Sequence, residues 1–265
     1  MEYLESFTFP VISTKTAYPY NILYPLKLRK IEFDPITIFY GSNGSGKSSI
    51  LNIIARALDI EMRDRGNDSE YLQRVIDDCH AQFHWKFNGL PDGSAFIRSE
   101  DVMHNIVKIR QKNEAIKKHI KKTSPHLYER FFLGRPDEER EYVWSDDNWI
   151  FQALEGFNDA QSNGELAYQY FENTIGMDSL TILDEPENSL SPKFQRNLAE
   201  MLSSYARFFN CQFIIASHSP FMLAIPEARI YNLDEHPACI SQWNNLENML
   251  IYKELFDSLA KRIKS

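Results

Sequence analysis

Gly41-Ser-Asn-Gly44-Ser-Gly46-Lys47-Ser48 follows the run Ile36-Thr-Ile-Phe-Tyr40 and precedes Ser49-Ile-Leu-Asn-Ile-Ile-Ala-Arg-Ala-Leu58. The octet fits G-x-x-x-x-G-K-[ST] at every fixed position. The β-branched and aromatic run before it predicts a buried strand, and the apolar spacing after it predicts a helix to about Leu58. Strand, glycine loop and helix in that order build a phosphate cradle. Glycines let successive backbone N–H groups face one anion, and the helix N-terminus adds its partial positive charge. The expected nucleotide contacts run along Gly41, Asn43, Gly44, Ser45, Gly46, Lys47, Ser48 and Ser49. Lys47 would bridge the β- and γ-phosphates of ATP, and the Ser48 hydroxyl would ligate Mg²⁺. Three of the ten glycines fall between Gly41 and Gly46. Ordinary residue frequencies produce the octet in about one chain of this length in a hundred.

Two later stretches supply what such a cradle needs for chemistry. Leu180-Thr-Ile-Leu-Asp184-Glu185-Pro186 predicts a short buried strand with Asp184 at its carboxyl end, where it would hold Mg²⁺ directly or through water. In an extended chain Glu185 points to the other side, placed to polarise an attacking water. Taken alone, an Asp-Glu pair after apolar residues reads as a strand ending at the surface. Behind the glycine loop it reads as a metal and water site. Gln212-Phe-Ile-Ile-Ala216 predicts another core strand, with Ser217-His218-Ser-Pro220 just past its end. His218 is then either a satisfied structural histidine or a group that reaches the γ-phosphate and orients the water. Lys47, Glu185 and His218 are the candidate catalytic residues.

Elsewhere, Phe7-Thr-Phe9 and Leu26-Lys-Leu28 read as strands, as do Ala81 to Phe87 and Ala95 to Arg98, which flank a Gly89-Leu-Pro-Asp-Gly93 turn. Residues 101–172 read as helical, with a break at Ser124-Pro125 and an acidic turn from Pro136 to Glu139. Ile106, Ile109, Ile116 and Ile120 share one stripe there. Pro192 to Phe209 predicts a helix capped by Ser191, Ala228 to Leu233 a strand, and Leu246 to Ile263 a closing amphipathic helix. Strands alternating with helices at both ends predict an α/β core with a mixed or parallel sheet and an inserted helical lobe. Its parts are residues 1–100 with the glycine loop, 101–172 as the lobe, and 173–265 as the second part of the core.

The chain of 265 residues is 43% apolar and 25% charged, with 18 Phe, 13 Tyr and four Trp, which excludes intrinsic disorder. No apolar run approaches the roughly 20 residues that span a bilayer. The acidic start, Met-Glu-Tyr-Leu-Glu-Ser, lacks the features of a secretory signal. Cys79, Cys211 and Cys239 are too few and too scattered for a disulfide framework or a zinc ribbon. A reduced, cytoplasmic protein without a membrane span is expected. The net charge of −8 disfavours wholesale wrapping of nucleic acid. From Val102 to Lys122, however, seven Lys or Arg stand against one Glu. The stretch Lys108 to Lys122 reads either as a solvated helix face or as a nucleic-acid or partner surface.

The glycine loop, the Asp184-Glu185 pair and His218, in that order, resemble the ATP-binding-cassette (ABC) ATPase superfamily, and the 34 residues from Asp184 to His218 agree with it. That resemblance implies a further motif upstream. Gln161-Ser162-Asn163-Gly164-Glu165 fills its slot, with Ser162 22 residues before Asp184, and is similar to the S-x-G-E/Q signature. In the family this segment caps the γ-phosphate bound to the other subunit, so Ser162 and Gly164 become nucleotide contacts in trans. A head-to-tail homodimer with two ATP between protomers is thereby implied. Asn188-Ser189-Leu190-Ser191 would be the D-loop, with Ser191 where the family usually has Asp. The Q-loop glutamine has no clean counterpart: Glu100 or Arg98 stands in its place, and Gln82 fits less well. Tyr18, Tyr20 and Tyr24 are equally available for adenine stacking and for ordinary core roles.

Asp-Glu-Pro-Glu and Ser-His-Ser-Pro look closer to RecF-like and chromosome-maintenance ATPases than to transporter subunits. Phe96-Ile-Arg-Ser-Glu100 and Asp184-Glu-Pro-Glu-Asn-Ser-Leu-Ser-Pro192 are similar to small, free-standing bacterial predicted ATPases. The likeness covers most of residues 35–235, the middle lobe least. Only 120 residues separate Gly41 from Gln161, which leaves no room for a long coiled-coil arm. The implied function is a Mg²⁺-dependent ATPase in DNA maintenance or anti-phage defence, acting with a partner effector. The alternatives are a transporter's ATP-binding subunit and an ATP-dependent sensor that licenses an effector.

Overall fold

A computed structural model describes residues 2–12, 17–63, 69–87, 89–123, 125–133 and 162–264. The acidic turn from Pro136 to Glu139 and Gln161 lie outside the described residues. In chain order the elements are β1 Leu4–Thr8, α1 Tyr20–Leu26, β2 Lys30–Glu32, β3 Ile36–Tyr40, α2 Lys47–Ala57, α3 Glu70–Asp77, β4 His80–Phe83 and β5 Ala95–Arg98. There follow α4 Ser99–Thr123, α5 Pro125–Phe132, α6 Asn163–Thr174, β6 Leu180–Asp184, α7 Pro192–Phe208 and β7 Gln212–Ala216. The last are α8 Pro220–Leu223, β8 Arg229–Asn232, β9 Cys239–Ile240 and α9 Glu247–Lys264.

The main sheet has the order β5-β6-β7-β3-β8-β9. Its first five strands are parallel, and β9 joins antiparallel to β8. β3, β6 and β7 are buried at every position, the pattern of parallel strands covered on both faces. Alternate side chains enter two cores. Phe39, Ile182 and Ile214 join α1, α2, α3 and a small antiparallel sheet of order β2-β1-β4 on one face. Ile38, Leu183 and Ile215 meet α4, α6 and α7 on the other. This is the α/β P-loop architecture that the sequence implies.

One side chain fastens the two sheets. Gln212 is fully buried; its Oε1 accepts from the N–H of Tyr3 at 2.8 Å and of Leu4 at 2.9 Å, and its Nε2 donates to the Leu4 carbonyl at 2.8 Å. In place of the expected strand Leu26–Leu28, α1 ends at Leu26 and Lys27 turns left-handed at φ 49°. Both leucines are still buried, one from a helix and one from the extended segment leading to β2. Strand β4 also stops at Phe83, because the chain turns so that Phe87 N–H bonds to the His84 carbonyl.

Along α4, Ile106 and Ile120 are buried and Ile109 and Ile116 half-buried, so the isoleucine stripe faces the protein. Lys108, Arg110, Lys112, Lys118, Lys121 and Lys122 are exposed. On α9, Leu250, Ile251, Leu255 and Phe256 are about half exposed or more. Among the described residues no helix is long and apolar enough to cross a membrane.

Candidate functional site

Parallel strands all present their carboxyl ends at one edge, and the register here is tight. Asp184 pairs with Ala216, Ala216 with Phe39, and Arg98 with Asp184. The segments after Tyr40, Asp184 and Ala216 therefore emerge side by side. The glycine loop closes on itself at once. Gly44 and Gly46 have φ of 85° and 101°, which favours glycine at both. A β-carbon on Gly46 would also lie 2.4 Å from Ile22 Cγ2, so no side chain fits there.

Lys47, 4% exposed, donates to the carbonyls of Gly41 at 2.9 Å and Ser42 at 3.1 Å. Its Nζ lies 3.4 Å from Glu185 Oε1. Asn43 and Ser48 are exposed and Ser45 and Ser49 half-buried along the same loop and first turn. The Ser45 hydroxyl oxygen is buried with no hydrogen-bond partner among the described residues. An orphan hydroxyl inside a glycine loop that leads into a helix N-terminus fits an anionic ligand.

Ser48 Oγ donates to Asp184 Oδ1 at 2.9 Å. Burial pushes the Asp184 carboxyl up to about 6; Glu185 and Glu100 push the same way, and the Ser48 hydrogen bond and Arg98 oppose them. One buried carboxylate beside one hydroxyl is a hard-oxygen donor set that suits Mg²⁺ completed by phosphates and water. Among the described residues no group of three or more His, Cys, Asp or Glu side chains could hold a metal. Glu185 departs from the extended conformation expected of it. Its φ and ψ are 49° and 51°, left-handed, at the cap of a 3₁₀ turn, Pro186–Ser189. The carboxylate thus folds back over Lys47, and its Oε2 accepts from Asn188 Nδ2 at 2.8 Å.

His218 stands past β7, as the sequence predicts, with its side chain 38% exposed. Its backbone N–H donates to Glu187 Oε1 at 2.9 Å. Ser162 caps α6: its Oγ accepts from Glu165 N–H at 3.2 Å, and Glu165 Oε2 accepts from Ser162 N–H at 2.7 Å. Gly164 lies against the start of α7, where a β-carbon would be 3.5 Å from Ser191 N. The Ser162 turn therefore abuts the Asn188–Ser191 segment of its own chain, while the hydrogen bonds of Ser162 among the described residues stay within the cap of α6. Arg110 of α4 donates to Asn163 Oδ1 at 2.7 Å, which links the basic helix to that turn.

Arg98 and Glu100 both lie close enough to act on Asp184, and Arg98 donates to Asn52 of α2. Gln82 instead bonds to Glu5 and Ser6 in the small sheet, which removes it as a Q-loop candidate. Two residues escaped the sequence reading. Asp234, just beyond β8, accepts from the Ser42 N–H at 2.8 Å and from the Ser42 hydroxyl at 2.8 Å, anchoring the glycine loop from the neighbouring strand. Glu187 is the other, a buried carboxylate behind His218.

A family model described as "AAA domain, putative AbiEii toxin, Type IV TA system" matches residues 83–224, more than half of the chain. That span holds Ser162, Asp184, Glu185 and His218; the glycine loop precedes it. No curated protein matches the sequence. The head domain of SMC from Thermotoga maritima aligns over 91% of this chain and 98% of its own, at 13% identity and a TM-score of 0.41. A Pyrococcus furiosus Smc head with an extended coiled coil, bound to the C-terminal domain of ScpA, covers 96% and 100% at 13% identity and a TM-score of 0.46. A dimeric bacterial ABC transporter cassette covers 93% and 100% at 15% identity and a TM-score of 0.40. These structural likenesses are distant. With more than half of its length matched by the family model, the chain belongs to this AAA-domain family.

Proposed function

We propose that the protein is a Mg²⁺-dependent ATPase that works as a homodimer with ATP sandwiched between protomers. The observation that carries this reading is the convergence of Lys47, Ser48, Asp184 and Glu185 at the carboxyl edge of one sheet. Lys47 bonds two loop carbonyls and faces Glu185 at 3.4 Å. An arriving γ-phosphate competes for that ammonium and frees the Glu185 carboxylate to orient and deprotonate water. Ser48 and Asp184 would hold Mg²⁺, which when bound neutralises charge on the β- and γ-phosphates. His218 supplies a ring nitrogen toward the γ-phosphate. Ser162 uses its oxygen lone pair to cap α6, which leaves the O–H free to donate to a phosphate on the second protomer.

The family description, "putative AbiEii toxin, Type IV TA system", supports a toxin–antitoxin setting. The exposed lysines of α4 offer a surface for a polyanionic or acidic partner effector, and Arg110 connects that surface to the signature turn. The test compares Glu185→Gln with Lys47→Ala, following nucleotide uptake by calorimetry and mass by light scattering. Glu185→Gln should bind Mg²⁺–ATP, turn over at least about 100-fold more slowly and accumulate as a dimer. Lys47→Ala should lose nucleotide binding. A Glu185→Gln variant that remains monomeric with ATP refutes the sandwich, and absence of nucleotide uptake by the wild type refutes the site.

A further inference from the structure

The 3₁₀ turn Pro186–Ser189 buries one carboxylate. Glu187 is 4% exposed, and its Oε1 accepts three hydrogen bonds: from Ser217 Oγ at 2.7 Å, His218 N–H at 2.9 Å and Ser219 N–H at 3.2 Å. The same oxygen lies 3.5 Å from His218 Nδ1. Glu187 Oε2 and His218 Nδ1 are both buried without a hydrogen-bond partner among the described residues. The turn is itself fastened: Gln195 Nε2 donates to the carbonyls of Glu187 and Leu190, and Gln195 Oε1 accepts from Ser219 Oγ at 2.8 Å.

A neutral side chain would satisfy those three donors at lower cost, since burying a charge is unfavourable unless it is used. The His218 ring beside it distinguishes a carboxylate from an amide. A carboxylate facing one ring nitrogen holds the proton there and fixes both tautomer and ring orientation.

We propose that Glu187 is a positioning residue that keeps the proton of His218 on Nδ1 and presents Nε2 to the γ-phosphate. The proposal rests on the phosphate role given to His218 above. The ring is thereby set by a single buried carboxylate of the 3₁₀ turn.

The test uses the full-length protein with Glu187→Gln, His218→Ala and the double variant. Glutamine keeps an oxygen for the three donors and removes the charge, and a circular-dichroism melt checks that the fold is retained. The expected result is a 10- to 100-fold loss of kcat with KM for ATP within about threefold of wild type. The double variant should be no slower than His218→Ala, because both changes act through one ring. At about pH 8.5, where an ordinary imidazole is neutral, ring ¹⁵N shifts of His218 should report Nδ1–H in the wild type and a tautomer mixture in Glu187→Gln. Wild-type kcat in Glu187→Gln, losses that multiply in the double variant, or unchanged ring shifts each overturn the positioning role while leaving the ATPase reading intact. Wild-type kcat in His218→Ala overturns the phosphate role of His218, and this proposal with it.

Discussion

Replacing Asp184 with Asn should make the nucleotide-free protein more stable while abolishing Mg²⁺-dependent hydrolysis. The carboxyl rises from 3.8 to about 6, mainly through burial. At about 1.36 kcal/mol per pKa unit, its ionisation costs the folded state about 3 kcal/mol at neutral pH. The proton is held more tightly by the folded chain than by the unfolded one. Stability from this group is therefore greatest below the unfolded value of 3.8 and is lost as pH climbs through about 6. Asparagine keeps an acceptor for Ser48 Oγ, and its amide can donate toward the neighbouring Glu185 or Glu100. Urea unfolding without nucleotide or magnesium should give Asp184→Asn an advantage of about 3 kcal/mol at about pH 7.5, shrinking to roughly half at about pH 5. In a thermal scan the gap at about pH 7.5 corresponds to roughly 6–12 °C. An Asp184→Asn variant no more stable than wild type at about pH 7.5, or one whose advantage is the same at both pH values, would refute the reasoning.

Gln212→Ala should lower stability by about 2–4 kcal/mol, because it strands the buried N–H groups of Tyr3 and Leu4; a urea midpoint within error of wild type would contradict that role. Replacing Lys117, Lys118, Lys121 and Lys122 with Ala should leave basal ATP hydrolysis unchanged and weaken binding of polyanions in a salt-dependent way. Unchanged retention of DNA, RNA and any co-purifying protein would return that face to a solvated one.

The strands that frame the site were legible to the residue. Ile36–Tyr40 and Gln212–Ala216 are buried at every position, which removes the polar positions that would blur their ends, and Ala95–Arg98 follows a glycine turn that marks its start. Leu26-Lys27-Leu28 misled because period-two leucines also arise where a helix stops and its next residue turns left-handed. The phosphate loop and Asp184 could be read because each needs only local residues in a fixed order. Glu187 and Asp234 could not. Their partners lie 30 residues or more away, at Ser217 and Ser42, and a glutamate or aspartate in sequence carries no sign of whether the chain will bury it or return a donor to it. Glu185 was assigned the right neighbourhood and the wrong backbone, since a residue before proline ordinarily stays extended and only the fold turns this one left-handed.

Glu185 is held in a left-handed backbone well at φ 49°, ψ 51°, where a side chain other than glycine or asparagine costs of order 1 kcal/mol. With Glu185 activating water as proposed, folding and turnover want different residues at that one place. A descendant released from hydrolysing ATP, but still required to grip it, would gain robustness by exchanging the glutamate for asparagine or glycine. Drift toward those two residues would then mark the relatives that have kept the grip and abandoned the cycle.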